Sequence, residues 1–237
     1  MLAEEQLDAN ADFLRRLGSL RSKISEACER CGRASHEVEL MPVTKTWGPE
    51  VIAWCAAAGL HRVGENRVQE ALEKQQQATA SVGWELIGHL QSNKAKLAVA
   101  HFARVQSVDS AKLLRQLDRY AGEEAKRFSV LLQVNAGDDP AKFGVSVDEA
   151  PALLEAALAC EHLQVDGLMT IAPLDNDDLA VARRCFARLR ETRDRLAHDF
   201  GTPLPVLSMG MSGDWAEAIA EGSTLIRVGS ALFGHRG

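Results

Sequence analysis

Between Leu40 and the C-terminus one pattern returns eight times: a short apolar run, a polar residue or two at its end, then a helical stretch. The runs are Leu40–Val43, Arg62–Gly64, Trp84–Gly88, Arg104–Ser107, Ser129–Val134, Val165–Met169, Pro205–Ser208 and Thr224–Val228. The helices between them read at 49–58, 67–78, 94–101, 110–122 and 147–160. A long one then enters through Leu174–Asp178 and ends near Phe200, another covers 212–220, and a last turn covers 230–233. Strands joined through helices pair in parallel, because each crossover returns the chain to the same end of the sheet. Several runs are apolar without alternation, as in a sheet covered on both faces. The pattern predicts an α/β fold, a (β/α)8 TIM barrel over residues 40–234 of a chain of 237 residues, close to the ~250 typical of that architecture. A doubly wound open sheet is the alternative.

Ahead of the barrel, residues 4–32 read as one helix or two, so that 1–237 forms a single domain. Leu14, Leu17, Ile24, Cys28 and Cys31 are spaced to share one helix face. Gly18 weakens the middle. No apolar run approaches the ~18 residues that would mark a membrane span. A net charge of -6 gives no footprint for nucleic acid or an anionic membrane. The five cysteines are odd in number and scattered, which argues against a disulfide framework and for a reducing compartment. Cys28 and Cys31 have C-x-x-C spacing but no second pair, so no metal site is expected. The start, Met1-Leu-Ala-Glu-Glu-Gln, lacks the charged and apolar regions of a signal peptide. A cytoplasmic protein is expected.

The functional face of such a barrel lies at the carboxyl ends of its strands. There the sequence places Lys45, Asn66, His89, Gln91, Asn135, Ser208 and Arg227. Lys45 follows the first run and precedes a Trp47-Gly-Pro break, a position suited to Schiff-base chemistry with an aldehyde. Ser208-Met-Gly210-Met-Ser212 follows the seventh run, with Ser212 read as opening a helix, and Arg227-Val-Gly229-Ser230 ends the eighth. Glycines and hydroxyls at adjacent helix starts make a phosphate cup. Barrel closure brings strand eight beside strand one, hence the cup beside Lys45. A phosphorylated aldehyde that forms an imine with lysine is pyridoxal 5′-phosphate (PLP). Arg227 would face its pyridine nitrogen and keep it unprotonated, which weakens the ring as an electron sink. An aldolase-type enzyme using Lys45 on another phosphorylated metabolite stays open at this point.

These residues carry a resemblance. Val43-Thr-Lys45-Thr, Val63-Gly-Glu-Asn66-Arg-Val-Gln-Glu70, Trp84-Glu-Leu-Ile-Gly88, Leu90-Gln-Ser-Asn-Lys94, Gly167-Leu-Met169, Ser208-Met-Gly-Met-Ser212 and Ile226-Arg-Val-Gly229 resemble the PLP homeostasis proteins, the YggS/PROSC family. Those proteins share the barrel of the alanine racemase N-terminal domain. His89 departs from the pattern, since the family usually has proline there. The resemblance implies PLP on Lys45 and phosphate contacts from Ser208, Gly210, Met211, Ser212, Gly229 and Ser230. It also implies Arg227 at the pyridine nitrogen and a role in buffering PLP or delivering it to PLP-dependent apo-enzymes. A racemase of the related fold needs an opposing tyrosine from a second, β-rich domain. The sole tyrosine here, Tyr120, falls in a predicted helix, and the chain stops just past the barrel. The expectation is therefore a monomeric PLP carrier and not an enzyme, with a racemase-like enzyme as the alternative.

Overall fold

Leu40, Met41 and Val43 begin the barrel, and the strand they make is β1 (Glu39–Pro42). The computed structural model describes residues 2–173 and 179–234. After β1 come α2 (Glu50–Ala57), β2 (Arg62–Glu65), α3 (Val68–Gln77), β3 (Gly83–Leu86), α4 (Ala95–His101) and β4 (Arg104–Val108). The second half runs through α5 (Ala111–Glu123), β5 (Phe128–Gln133), α6 (Ala150–Leu158), β6 (Leu163–Met169), α7 (Leu179–Phe200), β7 (Val206–Ser208), α8 (Trp215–Ala220), β8 (Leu225–Val228) and α9 (Ser230–Phe233). The strands form one sheet in the order β1-β8-β7-β6-β5-β4-β3-β2, with every neighbouring pair parallel. The chain just past the end of β1 meets β2 itself. Val43 bridges Gly64 in parallel, and the Thr44 N–H donates to the Gly64 carbonyl at 3.0 Å. That contact closes the sheet into the expected (β/α)8 barrel, so all carboxyl ends share one rim.

Inside the barrel a chain of polar side chains crosses the core. Arg104 donates to both Glu85 oxygens at 2.9 Å, and Gln106 donates to Glu85 at 2.6 Å. Ser208 donates to Gln106 at 2.6 Å, and Arg227 donates to Ser208 at 2.7 Å. Each link satisfies a buried polar group that would otherwise be expensive. The chain climbs from the first residue of β4 to the cavity end of β8.

The N-terminal segment is a single helix, α1 (Leu2–Arg30), despite Gly18. Its buried face is Phe13, Leu17, Leu20, Ile24, Ala27 and Cys28. Leu17, Ile24 and Cys28 lie on it as read from sequence, and Leu14 and Cys31 do not. Leu14 is 49% exposed, and Cys31 lies beyond the helix end in solvent. Leu14 is turned ~100° from Phe13 about the axis, which puts it outside the stripe that Phe13 and Leu17 define. Phe13 stacks on Phe233 at 5.5 Å, and Trp47 meets the same ring at 5.5 Å. Phe13 also lies 6.1 Å from Trp54. These rings tie α1 to α2, α9 and the loop that follows Lys45.

Most boundaries shift by a residue or two from the sequence reading, and three of the shifts bear on the rim. The third strand stops at Leu86, which frees Ile87 and Gly88 for the rim. α6 starts at Ala150, because Ser146 and Glu149 close the preceding turn on each other: Ser146 Oγ donates to the Glu149 carboxylate at 2.7 Å. α8 starts at Trp215 and not at Ser212. The expected lead-in Leu174–Asp178 lies outside the described residues. In α7 the apolar Phe186, Leu189 and Leu196 are buried, and Arg183 and Arg190 pair with Glu221 at 2.7 Å. Among the described residues no helix is long and apolar enough to cross a membrane.

Candidate functional site

The carboxyl rim holds a cavity of about 520 Å³. Lys45 enters it from the β1 side, two residues past the bridge at Val43. Its amine has no hydrogen bond or ion pair with another described residue. The residue after it, Thr46, has φ 67°. A β-branched residue in the left-handed region is strained, and such strain collects at functional sites.

Asn66 lines the next part of the wall. Gly88, from the end of the third strand, passes directly over it. A Cβ on Gly88 would come within 2.2 Å of the Asn66 carbonyl oxygen, so only glycine permits this approach. His89 follows on the wall and stacks on Phe143 with ring centroids 4.0 Å apart. Its Nδ1 lies 3.5 Å from Asp109 Oδ2. Burial raises the Asp109 carboxyl above its ordinary range, and His89 opposes the shift.

The opposite wall is Met211, Ser212 and Gly213 after β7, with Gly229 and Ser230 after β8. Ser212 Oγ accepts the Ala231 N–H at 3.5 Å and so joins the two loops. Ser212 does not start a helix. Asp214 accepts the Met211 N–H at 2.6 Å and closes a turn before α8, which occupies the Met211 amide. The amides of Ser212, Gly213, Gly229 and Ser230 are not engaged by other described residues, so they are available to an anion. Gly210 lies behind this wall at φ 92°, where a Cβ would come within 2.6 Å of Ala218.

Arg227 forms the floor. It is 3% exposed, and its guanidinium donates to Ser208 Oγ at 2.7 Å and to the Thr170 carbonyl at 2.8 Å. Neither partner is charged. Burial pulls its pKa down to about 10, and Asp214 opposes this from a distance. A buried cation bonded only to neutral acceptors, with part of its surface on the cavity, is suited to an acceptor on a ligand.

Of the residues anticipated at the rim, Lys45, Asn66, His89, Met211, Ser212, Arg227, Gly229 and Ser230 share this cavity. Ser208 and Gly210 do not line it. Ser208 is fully buried, and its hydroxyl is taken up between Gln106 and Arg227. Gln91 is exposed off the wall, and Asn135 turns to Asp139, whose carbonyl accepts its amide at 2.8 Å. The lining residues that sequence reasoning missed include Gln133, Phe143, Ile171 and Gly213, with Ile87 and Gly88 read as strand and not as rim. Gln133 had a signal, as the one polar residue near the carboxyl end of the apolar run 129–134. Phe143 had none, since the fold of its loop brings it over the rim.

A family model described as "Alanine racemase, N-terminal domain" matches residues 16–237, and the barrel with its rim cavity defines a protein of that class. A solved alanine racemase of Clostridium difficile 630 shares the fold at TM-score 0.77 and 14% identity, over 97% of this chain and 57% of that one. Nearer relatives narrow the assignment. A pyridoxal phosphate homeostasis protein of Aquifex aeolicus is 39% identical over 223 residues, 93% of this chain and 97% of the relative. PipY of Synechococcus elongatus PCC7942, solved with PLP bound, superposes at TM-score 0.83 with 40% identity, over 94% of this chain and 100% of PipY. The chain belongs to the family of pyridoxal phosphate homeostasis proteins.

Proposed function

We propose that this protein binds pyridoxal 5′-phosphate at the rim, holds it as a Schiff base on Lys45, and buffers or delivers it without strong catalytic turnover. One observation carries the reading: the Lys45 amine and the amides of Ser212, Gly213, Gly229 and Ser230, all without a partner among the described residues, face one cavity of about 520 Å³ together with the buried Arg227 cation. The donor set fits the group, which would bring an aldehyde for the amine, a phosphate for the amides and a ring nitrogen for the guanidinium. Asn66 and the Gly88 backbone would line the space for the ring, and Arg227 would offer a donor to its nitrogen and disfavour its protonation. Tyr120 supports a carrier over an enzyme. It lies on α5 against the Arg119 guanidinium at 4.3 Å, and it does not line the cavity. The carrier would act as a cytoplasmic monomer that hands PLP to PLP-dependent apo-enzymes.

A racemase-like activity is the second reading, favoured by His89 on the cavity wall with Asp109 at its Nδ1. Purified protein should be yellow, and Lys45→Ala should remove the visible band. A colourless protein that takes up no added PLP defeats the binding reading. Transfer of PLP to an apo-enzyme tests delivery. Fast exchange of amino-acid α-protons in deuterated water, lost in His89→Ala, would favour the enzyme instead.

A further inference from the structure

Lys45 is gripped from behind. The Thr44 carbonyl, on one side of it, accepts a hydrogen bond from Lys74 Nζ at 2.6 Å. The Thr46 N–H, on the other side, donates to Glu70 Oε1. Lys74 also donates to Glu65 Oε1, and the Thr44 hydroxyl donates to the same oxygen at 2.6 Å. Glu70 lies 3.8 Å from Lys74. Both peptide groups that flank Lys45 are thus tied to α3, and the tie is anchored on β2 through Glu65.

Stability does not account for this arrangement. Glu65 is fully buried and Lys74 is 5% exposed, while Glu65 Oε2 has no hydrogen-bond partner among the described residues. Burial raises the Glu65 pKa against the pull of Lys74. A buried pair with an orphaned oxygen is, as a rule, no more stable than an apolar pair of the same shape. The backbone it holds is itself strained, with Thr46 at φ 67°. An amine on a flexible stem gains reach from rotation but loses orientation. Fixing the peptides on both sides restores a defined direction of entry.

We propose that Glu65, Glu70 and Lys74 are positioning residues for Lys45: they set the backbone from which its amine enters the cavity. None of the three lines the cavity. The inference rests on the reading of Lys45 as the PLP anchor, so the test carries one arm that needs no PLP. The first variants are Glu70→Ala and Glu70→Gln, the second of which keeps an acceptor for the Thr46 N–H. A third, Glu65→Leu/Lys74→Met, replaces the whole buried pair with apolar side chains of similar size. Each is checked for a folded far-ultraviolet spectrum, then assayed for the rate of Schiff-base formation with PLP and for the visible circular dichroism of the bound ring. In the PLP-free arm, peptide mapping follows how fast an amine-reactive reagent labels Lys45 relative to exposed lysines.

Glu70→Ala and the double variant should form the Schiff base at least about fivefold more slowly, since a displacement of ~1 Å can cost up to ~10²-fold. Their visible dichroism should change, their relative labelling of Lys45 should shift, and Glu70→Gln should stay close to the parent. Folded Glu70→Ala and double variants that match the parent in rate, dichroism and labelling overturn the proposal. If the parent itself forms no Schiff base, the binding reading fails. The labelling ratios then decide the clamp by themselves, and unchanged ratios reject it.

Discussion

Arg227 is where the sequence reading and the structure meet at the scale of a residue. Both place it near the end of the eighth strand, beside Gly229 and Ser230. The structure adds what lies behind it: Ser208, Gln106 and Glu85, linked in turn by hydrogen bonds. Ser208 therefore steers the guanidinium from behind the wall and does not face the cavity. Ser208→Ala should leave Arg227 less well aimed and weaken PLP retention by about fivefold, the scale of one lost hydrogen bond of ~1 kcal/mol, as measured by equilibrium titration. Arg227→Met should separate stability from function. It removes a buried cation that has no bonded carboxylate, so the urea midpoint of ligand-free protein should not fall. PLP affinity should drop by more than about tenfold, as expected for a lost charge-assisted bond of ~1.5–3 kcal/mol. A midpoint well below the parent would mean that Arg227 is there to hold the core.

At the scale of elements, α1 is the piece that sequence periodicity described least well. A helical stripe can be drawn through several sets of apolar residues, and only the partner surface selects one. Here the partners are Phe233 and Trp54, which choose Phe13 over Leu14. Phe13→Ala should cost about 3–5 kcal/mol in urea unfolding, as for other buried aromatics. Leu14→Ala should change stability by no more than about 0.5 kcal/mol. The reverse order would mean that the helix is rotated. Because Phe233 also touches Trp47, the Phe13 variant should in addition loosen the loop after Lys45.

At the scale of the whole molecule, buried carboxylates set the pH response. Glu65, Asp109 and Asp214 are all raised, in each case by burial first. A raised carboxyl binds its proton more tightly in the folded state. Its contribution is complete below the ordinary carboxylate range and is lost as pH rises through the raised value. The exposed Asp12, Glu37 and Glu149 are lowered by hydrogen bonds and act in the opposite sense, losing their contribution as pH falls. Asp109→Asn removes one group of the first kind. Relative to the parent, it should gain stability as pH is raised from about 3 to about 7. Parallel urea midpoints across that range would show that Asp109 titrates like a free carboxylate.

The sequence by itself determined eight strand-helix units in parallel and favoured the barrel over an open sheet, and the Val43–Gly64 contact decided between the two. The sequence also determined that Lys45, Asn66, Ser212, Arg227, Gly229 and Ser230 gather at one end, because strand ends follow from order along the chain. The tertiary structure decided what faces what. Ser208 and Gly210 turned out to lie behind the wall, Met211 to spend its amide on Asp214, and Phe143 to cover His89. It alone decided that Glu65, Glu70 and Lys74 grip the chain on both sides of Lys45. Local pattern fixes where a residue falls along a strand or helix. Hydrogen bonds between residues 9 to 102 positions apart depend on how the elements pack, and no periodicity records that.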